Sequence, residues 1–278
     1  MKILVTGSNG LLGKKLISLL SREHKIFAIV NKKNKLRPNK NIKILKIDLS
    51  NFQSRDLPKN IDFIIHLAQS NFYHLFPEKA EDIFKVNIES TFKLINFAYR
   101  YKIKNFLFTS TGDVTLSKTK KKIDSFYITS KAIGEIIINK YADILNVTVL
   151  RLFGLYDDNQ KSGLIYNLKS KIKKNETVFL NGKGEGDLVY LTHVDDCAMC
   201  IEYFVKNKLS GTFDIAPLKK ISIRNIIKIL SNKYNKKPII KHRNLIEKKK
   251  FMPNLTNLKK IYNISLLRDP ATGLKDLK

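Results

Sequence analysis

The chain has 278 residues and a formal net charge of +28, and 43% of its residues are hydrophobic. This composition excludes a disordered chain and is sufficient for the core of one large domain or two closely joined ones. No stretch reaches the roughly 18 uninterrupted apolar residues of a membrane helix, so we expect no membrane association. Two cysteines form no disulfide framework, and the first strand begins at Lys2 with no room for a signal peptide before it. A cytoplasmic location is therefore expected.

The lysine excess is the feature that could indicate nucleic-acid binding. The lysines are scattered, commonly beside asparagine and isoleucine, as in residues 31–35 and 169–174. Aromatic residues do not interleave with them as a base-stacking surface requires. A biased composition explains this pattern, so we expect no nucleic-acid partner, although the positive field would help to capture an anionic small molecule.

The predicted elements begin with a buried strand at residues 2–6, a glycine-rich turn, and an amphipathic helix from Leu11 onward. Gly7, Gly10 and Gly13 fall in this turn. A strand that stops at glycine and restarts as a helix presents free N–H groups, and the helix dipole makes them an anion site open to a pyrophosphate. A plain connecting turn is the alternative.

The second predicted strand, residues 25–30, ends at Asn31, a position that discriminates between cofactors. An acidic residue there would bind the adenosine ribose and repel a 2′-phosphate. Asn31 is neutral and precedes Lys32 and Lys33, which favours NADP(H) over NAD(H). The third strand, residues 42–47, ends in Asp48, whose carboxylate can accept from the adenine amino group.

Further strands at residues 61–67 and 105–109, and one ending at Arg151, alternate with helices. The alternation predicts an α/β fold, a Rossmann-type doubly wound parallel sheet that binds ligands at the carboxyl ends of its strands. The pattern changes after Tyr156, which predicts a small discontinuous C-terminal substrate domain. We expect the NAD(P)-binding domain to comprise residues 1–156 and 193–216, and the substrate domain residues 157–192 and 217–278.

Two predicted helices, residues 78–101 and 132–145, are apolar on more than one side. Phe92, Ile95 and Phe97 cannot all face one sheet on a helix of about 3.6 residues per turn. A partner subunit would cover the second side, so a homodimer is expected. The alternative is a monomer in which the C-terminal segment folds over these helices.

Tyr127 and Lys131 stand four residues apart where another helix opens, after a lysine-rich loop at residues 112–124. Their side chains therefore lie one turn apart on one helical face. Tyrosine, with an ordinary pKa of about 10, must have a lowered pKa to exchange protons near neutrality, and a nearby ammonium favours the phenolate. Thr111, at the end of the fifth strand, can hold the substrate oxygen alongside. An ordinary helix start that contains both residues is the alternative.

The chain contains, in order, eight short motifs: TGSNGLLG (6–13), DL (48–49), HLA (66–68), VN (86–87), FTST (108–111), YITSK (127–131), RLFGLY (151–156) and HVDD (193–196). The set resembles the extended short-chain dehydrogenase/reductase family of nucleotide-sugar epimerases, dehydratases and reductases. The resemblance implies that Tyr127 is the acid/base, that Lys131 binds the nicotinamide ribose and lowers the tyrosine pKa, and that Thr111 orients the reacting oxygen. The cofactor-binding residues expected on this basis are Gly7, Asn9, Gly10, Leu11, Leu12, Gly13, Asn31, Lys32, Asp48, Leu49, Leu67, Ala68, Tyr127 and Lys131.

Two departures from the family pattern bear on the reaction. Gly112-Asp113 stands where family dehydratases carry Asp-Glu, which argues against 4,6-dehydration. Val189 stands where many relatives carry an arginine that clamps the substrate phosphates, so another cation such as Lys183 would be needed. The buried-helix interpretation of Cys197 and Cys200 is preferred to a metal site, and no metal is expected.

The favoured function is NADP(H)-dependent reduction of a keto group on a sugar, with Tyr127 as the proton donor. The expected substrate is a nucleotide-linked sugar. A nucleotide-sugar epimerase with tightly bound NAD would use the same residues. A non-catalytic dinucleotide-binding regulator is the third possibility. The intact set of Thr111, Tyr127 and Lys131 speaks against it, because a sensor needs no proton-transfer pair.

Overall fold

The computed structural model describes residues 1–37, 39–117, 125–182, 184–243 and 252–277. Lys183 and most of the predicted loop at residues 112–124 lie outside these ranges. The described strands are β1 (Lys2–Thr6), β2 (Lys25–Val30), β3 (Ile42–Lys46), β4 (Phe63–His66), β5 (Asn105–Thr111), β6 (Asn146–Leu152), β7 (Leu155–Tyr156), β8 (Val178–Asn181), β9 (Leu188–Val189), β10 (Thr192–His193), β11 (Gly211–Ile215), β12 (Ile221–Ser222) and β13 (Ile240–Arg243).

The described α-helices are α1 (Leu11–Leu20), α2 (Ala80–Phe84), α3 (Ser90–Arg100), α4 (Val114–Ser117), α5 (Phe126–Asn139), α6 (Leu164–Lys173), α7 (Val194–Asn207), α8 (Ile223–Tyr234), α9 (Thr256–Ile261) and α10 (Pro270–Asp276). Two 3₁₀ turns lie at Ser54–Asp56 and Ile264–Leu266, and a π-helical turn at Lys85–Glu89 joins α2 to α3. No helix in the described ranges is long and apolar enough to cross a membrane.

Seven strands form the central parallel sheet in the order β11-β6-β5-β4-β1-β2-β3. Thr6 at the end of β1 is in register with His66 at the end of β4, and His66 with Phe108 on β5. The strand order reverses between β1 and β4, which is the point where a doubly wound sheet opens a crevice for its ligand. The predicted Rossmann-type fold class is confirmed.

The central strands form because their residues are apolar on both faces, as parallel strands covered by helices require. Leu4, Ile64 and Phe106, from three neighbouring strands, are fully buried. Helix α5 packs closely on β5 at Gly134, where a Cβ atom would lie 2.7 Å from Cζ of Phe108. This close packing brings the first turn of α5 to the carboxyl edge of the sheet.

The two helices that suggested a dimer differ from their predicted extents. The helix predicted at residues 78–101 is divided into α2, the π-helical turn and α3. The helix predicted at residues 132–145 is the later part of α5, which begins at Phe126 and ends at Asn139. Residues 140–144 form turns instead, because Leu145 must reach the core before β6 begins.

The chain divides into two compact units, Met1–Arg151 with Ala198–Phe213, and Leu152–Cys197 with Asp214–Lys278. The first unit contains the sheet core described above. The second has its own apolar core, which includes Tyr156, Ile172 and Leu274. The domain limits drawn from the sequence remain a prediction.

Candidate active site

The glycine-rich turn after β1 is held in a tight conformation that requires glycine. Gly7 has a φ angle of +68°, and a Cβ atom there would lie 2.8 Å from the Ala68 backbone nitrogen. A Cβ atom on Gly13 would overlap the Gly7 carbonyl oxygen. The Gly10 N–H donates to that same carbonyl at 2.9 Å. The turn can therefore fold back against the start of α1 only with glycine at these positions.

The first turn of α1 has the features that an anion site requires, and the anion site itself remains a prediction. The N-cap residue is Gly10, which has no side chain to cap the helix, and the first turn contains no acidic residue. Helix geometry leaves the N–H groups of Leu11, Leu12 and Gly13 without intrahelical acceptors. The positive end of the helix dipole adds to them, so these residues fit the pyrophosphate of a dinucleotide.

Asn9 contacts the segment that follows β2. Its Nδ2 donates to the Lys33 carbonyl at 2.6 Å, and its Oδ1 accepts from the Lys35 N–H at 2.9 Å. Asn31 and Lys32, which precede the two residues that Asn9 binds, are exposed. The side chain of Asn9 thus fastens the predicted adenosine-recognition segment to the glycine-rich turn.

The remaining predicted cofactor residues lie after β3 and β4, at the same carboxyl edge of the sheet. Asp48 Oδ1 accepts from the Ser50 N–H at 3.0 Å and from its hydroxyl at 2.8 Å, while Leu49 is buried in the core. Leu67 is half-buried, and Ala68 is buried and donates its N–H to Thr6 Oγ1 at 3.2 Å. The structure therefore brings together residues that the sequence places far apart.

A buried hydrogen-bond chain runs through His66 below this edge. Thr91 Oγ1 donates to the Asn87 carbonyl at 2.7 Å, so it accepts from His66 Nε2 at 3.0 Å. His66 Nδ1 then accepts from Thr6 Oγ1 at 2.7 Å. Burial, aided by the nearby Lys131 charge, lowers the pKa of His66 to about 3. The ring is therefore neutral and has a defined tautomer.

The chain continues from the π-helical turn to α5. Asn87 Oδ1 accepts from the Ser70 N–H at 2.8 Å, and its Nδ2 donates to Ser130 Oγ at 2.9 Å. Ser130 Oγ donates in turn to the Tyr127 carbonyl at 2.7 Å. Sequence reasoning missed this positioning role, although Asn87 belongs to a matched motif and π-helical turns frequently mark functional sites.

The side chains of Thr111 and Tyr127 both lie close to Asp113. Thr111 Oγ1 accepts from the Asp113 N–H at 3.3 Å and donates to its Oδ2 at 3.4 Å. The Tyr127 hydroxyl donates to Gln69 Oε1 at 3.2 Å. Burial raises the pKa of Tyr127, as do Asp113 and Tyr73, while the Thr111 hydroxyl acts in the opposite direction. The neutral phenol is thus favoured, and the lowering of its pKa by Lys131 remains a prediction.

Lys131 is buried one turn further along α5. Its Nζ donates to the Thr109 carbonyl at 2.9 Å and lies 5.0 Å from the centroid of the Phe108 ring. Burial lowers the pKa of Lys131 to about 8, although Glu135 acts to raise it. Glu135 is itself paired with Arg151, with a shortest contact of 2.6 Å. Arg151 thus serves as a structural cation.

The two cysteines, which the sequence analysis assigned to a buried helix, are buried. Cys197 and Cys200 lie in the buried part of α7, and His193 Nδ1 accepts from the Asp195 N–H at 3.2 Å near the start of that helix. Within the described ranges, no group of three His, Cys, Asp or Glu side chains could hold a metal ion. The Ser110 hydroxyl, beside Thr111, is buried and has no hydrogen-bond partner among the described residues.

A parallel Rossmann-type sheet, a glycine-rich anion site and a Tyr-Lys pair after β5 define an extended short-chain dehydrogenase/reductase. The model of the NAD dependent epimerase/dehydratase family matches residues 3–216, and the chain belongs to this family. The family that the ordered motifs predicted is therefore confirmed.

Three similar proteins illustrate the family. The uncharacterized UDP-glucose epimerase YtcB of Bacillus subtilis is 25% identical, over 99% of this chain and 95% of its own length. The GDP-6-deoxy-D-talose 4-dehydrogenase of Aggregatibacter actinomycetemcomitans is 27% identical, over 83% of this chain and 79% of its own. The structure of UDP-glucuronic acid 4-epimerase from Bacillus cereus, in complex with UDP-glucuronic acid and NAD, has a TM-score of 0.83 at 21% identity. It covers 99% of this chain and 97% of its own, and at this identity the likeness shows the fold.

Proposed function

We propose that this protein is an NAD-dependent epimerase of nucleotide-linked sugars. The observation that carries the proposal is the placement of Tyr127 and Lys131 on the first turns of α5, with Thr111 at the end of β5. The glycine-rich anion site lies at the same carboxyl edge of the sheet. An acid/base group beside a dinucleotide site is what oxidation and reduction of a sugar alcohol require.

Each residue of the set has a distinct task in this reaction. Tyr127 removes the proton from a sugar hydroxyl and later returns it to the same oxygen. Thr111 donates a hydrogen bond that keeps this oxygen in line with the phenol. Lys131 supplies a positive charge that favours the phenolate when the base is needed. A bound NAD would supply reversible hydride transfer at the sugar carbon, so inversion of that carbon would consume no external reductant.

An epimerase now takes precedence over the NADP(H)-dependent reductase that the sequence favoured. The family and the Bacillus relative are named for epimerisation, and the similar solved structure contains NAD. The reductase remains the second candidate. Asn31 and Lys32 are exposed at the end of β2 and would tolerate a 2′-phosphate, and one relative is a nucleotide-sugar 4-dehydrogenase. A cytoplasmic location remains a prediction.

The proposal also includes a homodimer. Large apolar side chains on the helices at issue are exposed: Phe84 on α2, Phe92 and Tyr99 on α3, and Ile136 on α5 are each 47–61% accessible. In a C₂ dimer this apolar face would pack against the same face of the second subunit. Ile95 and Phe97 are fully buried, so the two sides of α3 divide as the sequence argument requires.

The test combines cofactor identification with product analysis. Purified protein is denatured with heat, and the released dinucleotide is identified by chromatography and mass spectrometry. The native protein is then incubated with UDP-glucose, UDP-glucuronic acid and UDP-N-acetylglucosamine, and the sugars are separated by anion-exchange chromatography. Bound NAD and an epimer that disappears in the Tyr127→Phe variant support the proposal. A requirement for added NADPH, with net loss of its absorbance, would establish the reductase instead.

A further inference from the structure

The hydroxyl of Tyr127 is contacted by a residue outside the expected set. It donates to Oε1 of Gln69, which directly follows Ala68 after β4. Gln69 is exposed, so this hydrogen bond is not a by-product of core packing. In the structure this bond aims the Tyr127 O–H at Gln69, while the Thr111 hydroxyl contacts the same oxygen and favours its deprotonated form.

The segment that begins with Gln69 also holds the aromatic ring of Tyr127. The Tyr73 ring lies 5.0 Å from the Tyr127 ring, at an interplanar angle of 53°. Three residues further on, the Phe76 ring lies 5.0 Å from that of Phe126, the first residue of α5. One segment therefore restrains both the ring position and the hydroxyl direction of the same tyrosine.

We propose that Gln69 is a positioning residue that holds the Tyr127 hydroxyl proton until a substrate oxygen takes its place. The inference rests on the proposed acid/base role of Tyr127. In the observed orientation the Gln69 amide oxygen accepts from the neutral phenol, and an acceptor oxygen cannot bond to a phenolate, so this orientation favours the protonated form. Asp113 and Tyr73 act in the same sense, whereas Lys131 is the cation that would favour the phenolate.

Two substitutions at this exposed position should have opposite effects on the proton. Gln69→Leu removes the acceptor, so Tyr127 should lose its proton more readily. Gln69→Glu keeps an acceptor oxygen in the same place and adds a negative charge, so Tyr127 should hold its proton more firmly. A general disturbance of the fold would not produce opposite effects. Asn71→Ala, in the same exposed segment, is the matched control.

The first measurement needs no substrate. Protein labelled with ¹³C at the tyrosine Cζ is examined by NMR at pH 8, and the Tyr127 resonance is assigned by its loss in Tyr127→Phe. Tyr127 stays protonated at this pH because its pKa is raised, so its Cζ resonance reports the strength of the hydrogen bond that the phenol donates. We expect the resonance to move upfield in the Leu variant, which lacks the acceptor, downfield in the Glu variant, which has a charged acceptor, and to stay in place in Asn71→Ala. An unchanged Tyr127 resonance in both Gln69 variants would overturn the proposal.

The second measurement is the pH dependence of kcat/KM with UDP-glucuronic acid, or with whichever UDP-sugar the product analysis identifies. The Leu variant should lose roughly 3- to 10-fold at its optimum, as expected for one hydrogen bond, and its rising limb should move to lower pH. The limb should move to higher pH in the Glu variant. Limbs that coincide with that of the wild type would contradict the inference. Full turnover in Tyr127→Phe would reject the proposed function instead, and the NMR measurement would still decide on Gln69.

Discussion

Replacing Lys131 with methionine should abolish turnover and yet make the protein more stable at neutral pH. Lys131 is buried, and its pKa is lowered from an ordinary value of 10.5 to about 8. The unfolded chain therefore binds this proton more tightly than the folded one. Below about pH 8 the lysine is charged in both states, and its burial lowers the free energy of unfolding by the full amount. This penalty decreases as the pH rises from about 8 toward 10.5.

The magnitude follows from the difference between the two pKa values. It corresponds to about 3 kcal/mol at pH 7 and about 1.5 kcal/mol at pH 9.5. The loss of the hydrogen bond to the Thr109 carbonyl costs about 1–2 kcal/mol at either pH, which leaves a net gain of about 1–2 kcal/mol at pH 7. The gain in unfolding free energy from Lys131→Met should therefore be about 2 kcal/mol larger at pH 7 than at pH 9.5. This difference is the better quantity to measure, because contributions that do not depend on pH cancel.

Urea unfolding at pH 7 and pH 9.5, followed by circular dichroism, measures this difference. Lys43→Met, at an exposed position on β3, is the control for the loss of one positive charge from a chain of +28. Its effect should be nearly the same at both pH values. A Lys131→Met advantage that is equal at the two pH values, or larger at pH 9.5, would refute the reasoning.

Three further predictions concern catalysis, cofactor choice and assembly. Tyr127→Phe should retain bound cofactor but lose turnover about 10²- to 10⁴-fold, because it removes the acid/base hydroxyl; near-normal product formation in the chromatographic assay would contradict this role. If Lys32 and Lys33 bind a 2′-phosphate, then Lys32→Glu with Lys33→Glu should weaken NADPH far more than NADH in fluorescence titrations. Equal losses would show that these lysines are merely solvated. Light scattering at low micromolar concentration should give twice the chain mass of 32.1 kDa, and Phe92→Glu should restore the monomer; a wild-type mass near 32 kDa rejects the dimer.

The sheet and the approximate positions of its strands were predictable because their signals are local. Continuous apolar runs indicated the buried parallel strands, and glycine at positions 7, 10 and 13 indicated the turn between β1 and α1. A carboxyl edge follows from topology once the strands are known to be parallel. The position of Thr111 at the end of β5 could therefore be expected before the structure was known.

The environment of the site depended on contacts that no local pattern encodes. Gln69 is an ordinary exposed polar residue in the sequence, and only the packing of α5 places the Tyr127 hydroxyl on its side chain. The opposing effect of Asp113 on the tyrosine pKa likewise arises between side chains on different elements. In the second unit, β8 pairs with β13 across some sixty residues, with Val178 opposite Ile240. Such pairings require tertiary information.

The neutral ring of His66 determines how this fold responds to acid. Its pKa is about 3 in the folded protein but about 6.5 in an unfolded chain, so unfolding takes up a proton throughout the interval between these values. The contribution of His66 to the free energy of unfolding is fully present above about pH 6.5. It falls by about 2 kcal/mol by pH 5. Protonation of His66 thus weakens the hydrogen-bond chain that connects β1, β4 and α5, because the charged ring can no longer accept from Thr6 Oγ1.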